Sequence, residues 1–342
     1  MDKNKVTWIG LGQAGGNIAQ IAEVKYNYQT ICINTSKEDL SSLRNIKYPI
    51  WIQNGIGAAK DRKRVIRLMS ESIDDIVDKI NNLVVGDIVI VVFSGAGGTG
   101  SGSSSFSCRY LVGQGKIVVP VVILPSDEES AKGHANTYDC LAELMQINGI
   151  GSTFLLDNSR VKDKFSINNK FVSDIDALLS LNHSSKYGNI DEAEIRTLLS
   201  CTGVAIISRS SKVKSTTSDV IQGLNENIYA TVEAQNARYF ALSTSNRSLD
   251  VQDILRPYKG IYDVFTGISE ATTIAVLAGL QFPMKRIEKF KNKFEETVQN
   301  INNTINQQPP TIQPLQSLSF AREESKSTTP VNPRDILLSL LG

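Results

Sequence analysis

Histidine is nearly absent from this chain: His134 and His183 are the only two among 342 residues. The four cysteines, Cys32, Cys108, Cys140 and Cys201, stand far apart, and no CxxC pair occurs. Without a Cys/His cluster there is no zinc-site pattern, and a chain of this length needs no disulfide staples. The thiols read as reduced and buried, in a cytoplasmic protein. No run approaches the ~18 consecutive apolar residues of a membrane span. The start, Met1 to Lys5, passes straight into an apolar strand without the pattern of a signal peptide. An excess of one charge is missing too. Lys+Arg number 36 and Asp+Glu 35, for a net charge of +1, so the overall field gives no reason to expect a nucleic-acid or membrane surface. The Walker pattern GxxxxGKS/T does not occur.

What is present is ordinary for a soluble globular chain, with 41% hydrophobic and 21% charged residues. The length exceeds what one core usually holds, so two packed domains are expected. Residues 6–10, 30–34, 87–93, 117–124 and 152–156 read as short, nearly continuous apolar strands. Between them, residues 15–24, 65–83, 103–112 and 136–147 have helical spacing. Apolar strands alternating with helices predict a parallel sheet covered on both faces. Residues 170–181 read as a central helix, and 188–199 as a loop leading into another. The pattern then changes. Strands at 203–208, 237–243, 262–269 and 273–281, with helices at 219–230 and 250–255, predict a smaller α/β domain with a mixed sheet.

A long helix is expected at 284–305, with an apolar stripe of Ile287, Phe290, Phe294, Val298, Ile301 and Ile305 and several basic residues. It reads as docked on the second domain; a contact to another subunit is the alternative. Residues 307–335 are rich in Pro, Ser, Thr and Gln and read as a disordered tail. The tail ends in an apolar patch at 335–341. The expected divisions are therefore 1–168, 169–200, 201–283, 284–306 and 307–342.

Two glycine-rich stretches carry the chemistry. Gly10-Leu11-Gly12-Gln13-Ala14-Gly15-Gly16-Asn17 follows the first strand and fits GxGxxG. Glycine lets a backbone turn sharply against phosphate oxygens, and the next helix aims its N-terminal N–H groups at the anion. The same pattern also fits a plain strand-to-helix turn or a Rossmann dinucleotide site. Ser94-Gly95-Ala96-Gly97-Gly98-Thr99-Gly100-Ser101-Gly102-Ser103 follows a buried strand and opens a helix, which a Gly/Ser linker would not do. Its backbone N–H groups and small hydroxyls suit anion binding. Both stretches fall at carboxyl ends of parallel strands, where open α/β sheets bind ligands. Two phosphate cradles on one edge suggest a nucleoside di- or triphosphate. An NAD(P)-dependent oxidoreductase of Rossmann type is the alternative. It leaves the second stretch unexplained, and it wants an acid at the end of strand two, where Asn34-Thr35-Ser36 stands.

The run Ala96-Gly97-Gly98-Thr99-Gly100-Ser101-Gly102 resembles GGGTGTG, the signature of the tubulin/FtsZ superfamily, with alanine for the first glycine and serine for a threonine. The order of further motifs agrees from residue 6 to about 305. The resemblance implies a tubulin-like fold: a Rossmann-type parallel-sheet GTPase domain, a central helix and a smaller α/β domain with a mixed sheet. It implies GTP/GDP as ligand with Mg²⁺ bridging the phosphates. Asn34 falls in the second nucleotide loop. Ala58, Ala59 and Lys60 fall in the third, which senses the γ-phosphate. Glu129 aligns with a ribose-contacting acid, although the family's arginine four residues on is Gly133 here. Asn158, Phe171 and Asp176 take the places that select guanine; Asp176 also reads as an ordinary helix-surface acid.

Gly188-Asn189-Ile190-Asp191-Glu192-Ala193-Glu194 resembles the family's synergy loop, NxDxxD, with Glu194 for the last Asp. The resemblance implies that Asn189, Asp191 and Glu194 enter the nucleotide site of the next subunit in a head-to-tail filament. Asp191 also fits an N-cap of the following helix. Within the superfamily, the segments at 12–17, 33–40, 60–63 and 278–283 look more like the TubZ-type branch than like cell-division FtsZ. The first implies segregation of plasmid or phage DNA through an adaptor bound at a centromere, the second a role in division. The apolar patch at 335–341 reads as a docking peptide for such an adaptor, or as a segment that folds back.

Overall fold

The computed structural model describes residues 1–181, 188–210, 212, 214–233, 236–270 and 272–306. The expected tail and its apolar end lie outside the described residues.

The amino-terminal part alternates strand and helix. β1 (Val6–Leu11) leads into α1 (Gly12–Tyr26), and β2 (Gln29–Asn34) into α2 (Lys37–Ser42). β3 (Tyr48–Trp51) is followed by α3 (Arg62–Glu71) and α4 (Ile73–Leu83). β4 (Ile88–Ser94), α5 (Thr99–Gly113), β5 (Ile117–Leu124), α6 (Ala131–Leu144) and β6 (Ser152–Asp157) complete the alternation. α7 (Lys164–Leu179) and α8 (Glu192–Ser200) connect to β7 (Gly203–Ser210). Then come α9 (Thr217–Asn225), β8 (Tyr239–Thr244), α10 (Val251–Leu255), β9 (Asp263–Ile268), β10 (Thr273–Leu280) and α11 (Met284–Asn306).

All ten strands form one sheet in the order β3-β2-β1-β4-β5-β6-β7-β10-β8-β9. From β3 to β7 every pairing is parallel, whereas β10 runs antiparallel to both β7 and β8. The fold is α/β with a mostly parallel sheet, as expected. β6 and β7 meet through only two residue pairs, Ser152 with Gly203 and Thr153 with Val204, so the sheet is narrowest there. Every residue of β1 and β6 is buried, which is what helices on both faces require. Trp8, Phe154 and Phe171 form the aromatic centre beneath α7, with Trp8 and Phe154 6.2 and 5.4 Å from the Phe171 ring.

The chain leaves β1 toward β2 on one side, and β4 lies on the other. The crevice at the carboxyl ends of β1 and β4 is thus the switch point where ligands bind in such sheets.

Several expectations are corrected. The helix at 65–83 is two helices broken at Ser72 (φ −113°, ψ 16°). The buried positions Met69, Ile73, Ile76 and Ile80 keep helical phase across the break, so periodicity cannot register it. The glycine-rich stretches are not free loops, because α1 already begins at Gly12 and α5 at Thr99. α2 and β3 were absent from the sequence reading. α11 docks on α6, in the amino-terminal half, and not on the second domain. Its stripe is buried at Ile287 and Phe290 and emerges to solvent at Ile301, which is 53% exposed.

All four cysteines are free and buried. Burial pushes the Cys32 and Cys140 thiols up to about 12, so they carry little thiolate character.

Candidate functional site

A cavity of about 310 Å³ opens at the switch point between β1 and β4. Leu11, Gly12, Gln13 and Ala14 line it from the first glycine stretch, and Ser94 and Ala96 to Gly100 from the second. Ala58, Ala59, Lys60, Asp39 and Glu129 complete the wall. Its size falls in the range of small-ligand sites.

The two stretches touch. A side chain at Gly12, whose φ is +69°, would meet the Gly100 nitrogen at 3.1 Å. Helices α1 and α5 therefore aim their first turns into one space. Neither carries a side-chain cap hydrogen bond. By contrast, side chains cap α2, α3, α6, α7, α8, α9 and α10. Of α1 to α10, the remaining uncapped helix is α4, which continues from α3 through Ser72. The first N–H groups of a helix lack intrahelical partners. Two uncapped N-termini converging on a cavity suit an anion with more than one charged group.

The facing loop is strained. Ala59 (φ 47°) and Lys60 (φ 58°) are successive non-glycine residues in the left-handed region, at roughly 1–3 kcal/mol each. Surrounding contacts hold them. Asn136 Nδ2 donates to the carbonyls of Lys60 (3.0 Å) and Gly97 (3.2 Å), and Asp61 N to Ala58 O at 2.8 Å. Arg62, in the next turn, donates to Ser101 O (3.1 Å) and pairs with Glu143 (2.7 Å). Burial pushes the Glu143 carboxyl up, against the pull of Arg62. The Lys60 ammonium donates to Ser130 Oγ at 2.9 Å. Among the described residues it forms no ion pair, so no carboxylate touches its charge beside the cavity.

Other expected residues are placed differently. Gly15 and Gly16 do not face the cavity: side chains there would strike Val92 O at 2.1 Å and Leu43 at 2.7 Å. They are small so that α1 can approach β4 and the Leu43 segment. Asn17 is half-buried on α1, outside the lining. Asn34 is buried, accepts from Ser36 N and donates to Asp39 Oδ2 at 3.2 Å, so it shapes the loop carrying Asp39. Ser101 donates back to Gly97 O, and Gly102 packs against Arg62 and Val65. Glu129 lines the cavity with Lys164 Nζ 3.6 Å away.

The base-side expectations fare worse. Asn158 opens a short 3₁₀ turn, Asn158–Arg160, outside the cavity lining. Phe171 is wholly buried in the aromatic core. Asp176 accepts from Tyr28 Oη at 2.8 Å and pairs with Lys3 at 3.0 Å. Lys3 and Tyr28 precede β1 and β2, so Asp176 lies at the amino edge of the sheet, a strand length of roughly 20 Å from the cavity. The structure brings neither Phe171 nor Asp176 to the phosphate stretches. α7 begins at Lys164 and runs back down the sheet, so both side chains lie below the site. Asp39, in the 33–40 segment, lines the cavity although it is not among the expected site residues. Its position three residues after the N-cap Ser36 of α2 was the available signal.

Asp191 and Glu194 also lie at the amino edge. They form a reciprocal capping box on α8: Glu194 N donates to Asp191 Oδ1 and Asp191 N to Glu194 Oε2, each at 2.8 Å. Glu192 pairs with Lys5 at 2.8 Å and Arg196 with Asp87, which anchors α8 beneath the starts of β1 and β4. The loop holding Asn189 packs on β9, where a side chain at Gly267 would meet Ile190 N at 3.0 Å. Within one chain these carboxylates cannot reach the cavity.

Among the described residues, no cluster of three or more His, Cys, Asp or Glu could hold a metal ion, and no helix is long and apolar enough to cross a membrane.

Residues 5–166 match the Tubulin/FtsZ family, GTPase domain. Tubulin-like protein TubZ of Clostridium botulinum C phage is 27% identical over 348 residues, covering 98% of this chain and 94% of that protein. The crystal structure of Clostridium botulinum phage c-st TubZ superposes with a TM-score of 0.79 at 26% identity, over 87% of this chain and 100% of that one. A GTPγS-form protofilament of Bacillus thuringiensis serovar israelensis TubZ shares the fold, with a TM-score of 0.74 at 18% identity over 89% of this chain and 95% of that one.

Proposed function

The chain carries a tubulin/FtsZ-family GTPase domain, and from that premise we propose that it is a GTP-dependent, filament-forming GTPase whose active site is completed by the next subunit. One observation carries the reading. The phosphate cradle is at the carboxyl edge of the sheet, and the Asp191–Glu194 capping box is at the amino edge. Head-to-tail stacking brings the two edges together. Such heterologous contacts do not close, so they generate filaments.

In this reading the first turns of α1 and α5 bind the phosphates of GTP, and Lys60 meets the charge at the γ end. Asp191 and Glu194 of the adjoining subunit orient the attacking water. The capping box supports that role: it fixes both side chains by one oxygen each, which leaves Asp191 Oδ2 and Glu194 Oε1 free among the described residues. Mg²⁺ bound here would take its ligands mainly from phosphate oxygens and water, as it usually does with nucleotides, with Asp39 and Glu129 the carboxylates in the wall. Residues 1–168 serve as the GTP-binding domain, 169–200 as the connector, 201–283 as the activation domain and 284–306 as the terminal helix. End-to-end similarity to a phage TubZ favours segregation of plasmid or phage DNA as the task, through an adaptor on centromere DNA.

The test is GTP turnover per subunit against protein concentration, with ATP as control and sedimentation in parallel. Turnover that begins above a threshold concentration, with a GTP-dependent pellet, is expected. Turnover per subunit that stays constant on dilution would mean a self-contained site and end the shared-site reading.

A further inference from the structure

Arg286 stands in the first turn of α11, where no acidic residue accompanies it. A cation at that end opposes the helix dipole, so the placement calls for partners outside the helix. Arg286 Nε and Nη2 donate to the two oxygens of Asp157, both at 2.9 Å. Nη1 donates to Asp127 Oδ1 and Nη2 to the Pro125 carbonyl, both at 2.7 Å. Pro125 and Asp127 follow β5, and Asp157 ends β6. The Arg286 side chain is 11% exposed and that of Asp157 4%. One guanidinium thus joins the loops after two neighbouring strands, at the edge that carries the cavity. Its planar fork can do this, whereas an ammonium cannot.

Both partners shape loops at that edge, and the Asp127 loop lines the site. Asp157 Oδ1 also accepts from Ser159 N (3.0 Å) and Oγ (2.7 Å), which shapes the turn opened by Asn158. In the other loop Glu129 N donates to Ser126 O at 3.1 Å, and Glu129 lines the cavity. Phe290, one helical turn beyond Arg286, has its ring 4.7 Å from the guanidinium and stacks on His134 of α6 at 5.6 Å.

We propose that Arg286 is a positioning residue for the nucleotide: it holds the loops at 125–130 and 157–160 so that docking of α11 and closure of that side of the cavity are one event. The inference rests on the cavity being the guanine-nucleotide site.

The experiment uses the full chain with methylanthraniloyl-GDP, followed by stopped-flow release and thermal melting. Arg286→Lys keeps the charge and loses the fork. It should release the nucleotide about tenfold faster or more, with KM for GTP raised and kcat of assembled protein retained, and with a lowered melting temperature because Asp157 loses its bidentate partner. Arg286→Ala should exceed it. Asp127→Ala, at a carboxylate 46% exposed, should speed release about threefold. Release within twofold of wild type in Arg286→Lys and Asp127→Ala would show that the contact only docks a helix, and would overturn the proposal. These two variants decide the matter if Arg286→Ala does not fold. Wild-type protein that binds no labelled GDP would instead overturn the guanine-nucleotide reading, and the role of Arg286 with it.

Discussion

The two edges of the parallel sheet treat their polar groups in opposite ways. At the amino edge, α8 is capped at both Asp191 and Glu194, and Lys5, Glu192, Arg196 and Asp87 form a linked ion-pair network. At the carboxyl edge, α1 and α5 carry no side-chain cap, Ala59 and Lys60 are strained, and Lys60 has a hydroxyl partner but, among the described residues, no carboxylate. The amino edge is locally satisfied, whereas the carboxyl edge leaves donors and charge unmatched around β1 and β4, beside the paired Arg286 network after β5 and β6. A protein keeps such groups unmatched where a ligand completes them. In the proposed filament the difference would give polarity: the edge with fixed carboxylates would meet the unmatched edge of the next subunit.

The contrast can be broken in graded ways. The largest effect should come from Gly15→Ala, because the added carbon would lie 2.1 Å from Val92 O. α1 would have to leave β4, with a loss of about 3 kcal/mol or more in urea unfolding; a variant of wild-type stability would mean that α1 is not held against β4 by this contact. Next is Asp191→Ala. It should lower GTP turnover about hundredfold and lose about 1 kcal/mol as a cap, while GTP binding and assembly persist. Electron microscopy should show long-lived filaments, and rapid disassembly of that variant would refute the role of Asp191 in hydrolysis.

A smaller effect concerns pH. His134 is buried, neither ring nitrogen has a hydrogen-bond partner among the described residues, and burial followed by Arg286 and Lys293 lowers its pKa. The folded form therefore stays neutral where the unfolded chain already binds a proton. Stability should be full above about pH 6.5 and fall as pH drops below it, by at most about 1.4 kcal/mol per unit. Urea melts of wild type and His134→Leu at pH 7.5 and 5.5 check this, since the variant should lose that slope. The smallest change is Ala59→Gly, which should stabilise the free protein by about 1 kcal/mol through relief of left-handed strain. No gain in melting temperature would mean that the loop is not strained at Ala59.

Much of the fold was legible because its signal is local. Apolar runs such as 117–124 can only be strands buried on both faces, and glycine clusters directly after strands mark the carboxyl edge. The capping box was equally readable, since Asp191 and Glu194 have the required spacing. The base side was misread because a helix pattern does not show where its first turn starts. With α7 beginning at Lys164, Phe171 falls in the core and Asp176 at the far edge. The docking face of α11 was misplaced for a similar reason: the stripe at Ile287 and Phe290 shows that a face is buried, but not which surface buries it.

By itself the sequence determined the parallel α/β architecture, the presence of two glycine-rich stretches after strands and the carboxylate pair at 191 and 194, because hydrophobic period, glycine content and residue spacing act over a few residues. Only the tertiary structure decided that the cradle lies between β1 and β4, that the carboxylates occupy the opposite edge, and that Arg286 ties α11 to the loops after β5 and β6. Strand order and helix docking depend on contacts between residues far apart in sequence, 129 positions for Arg286 and Asp157 and 187 for Lys5 and Glu192. No local pattern encodes which distant surfaces fit together.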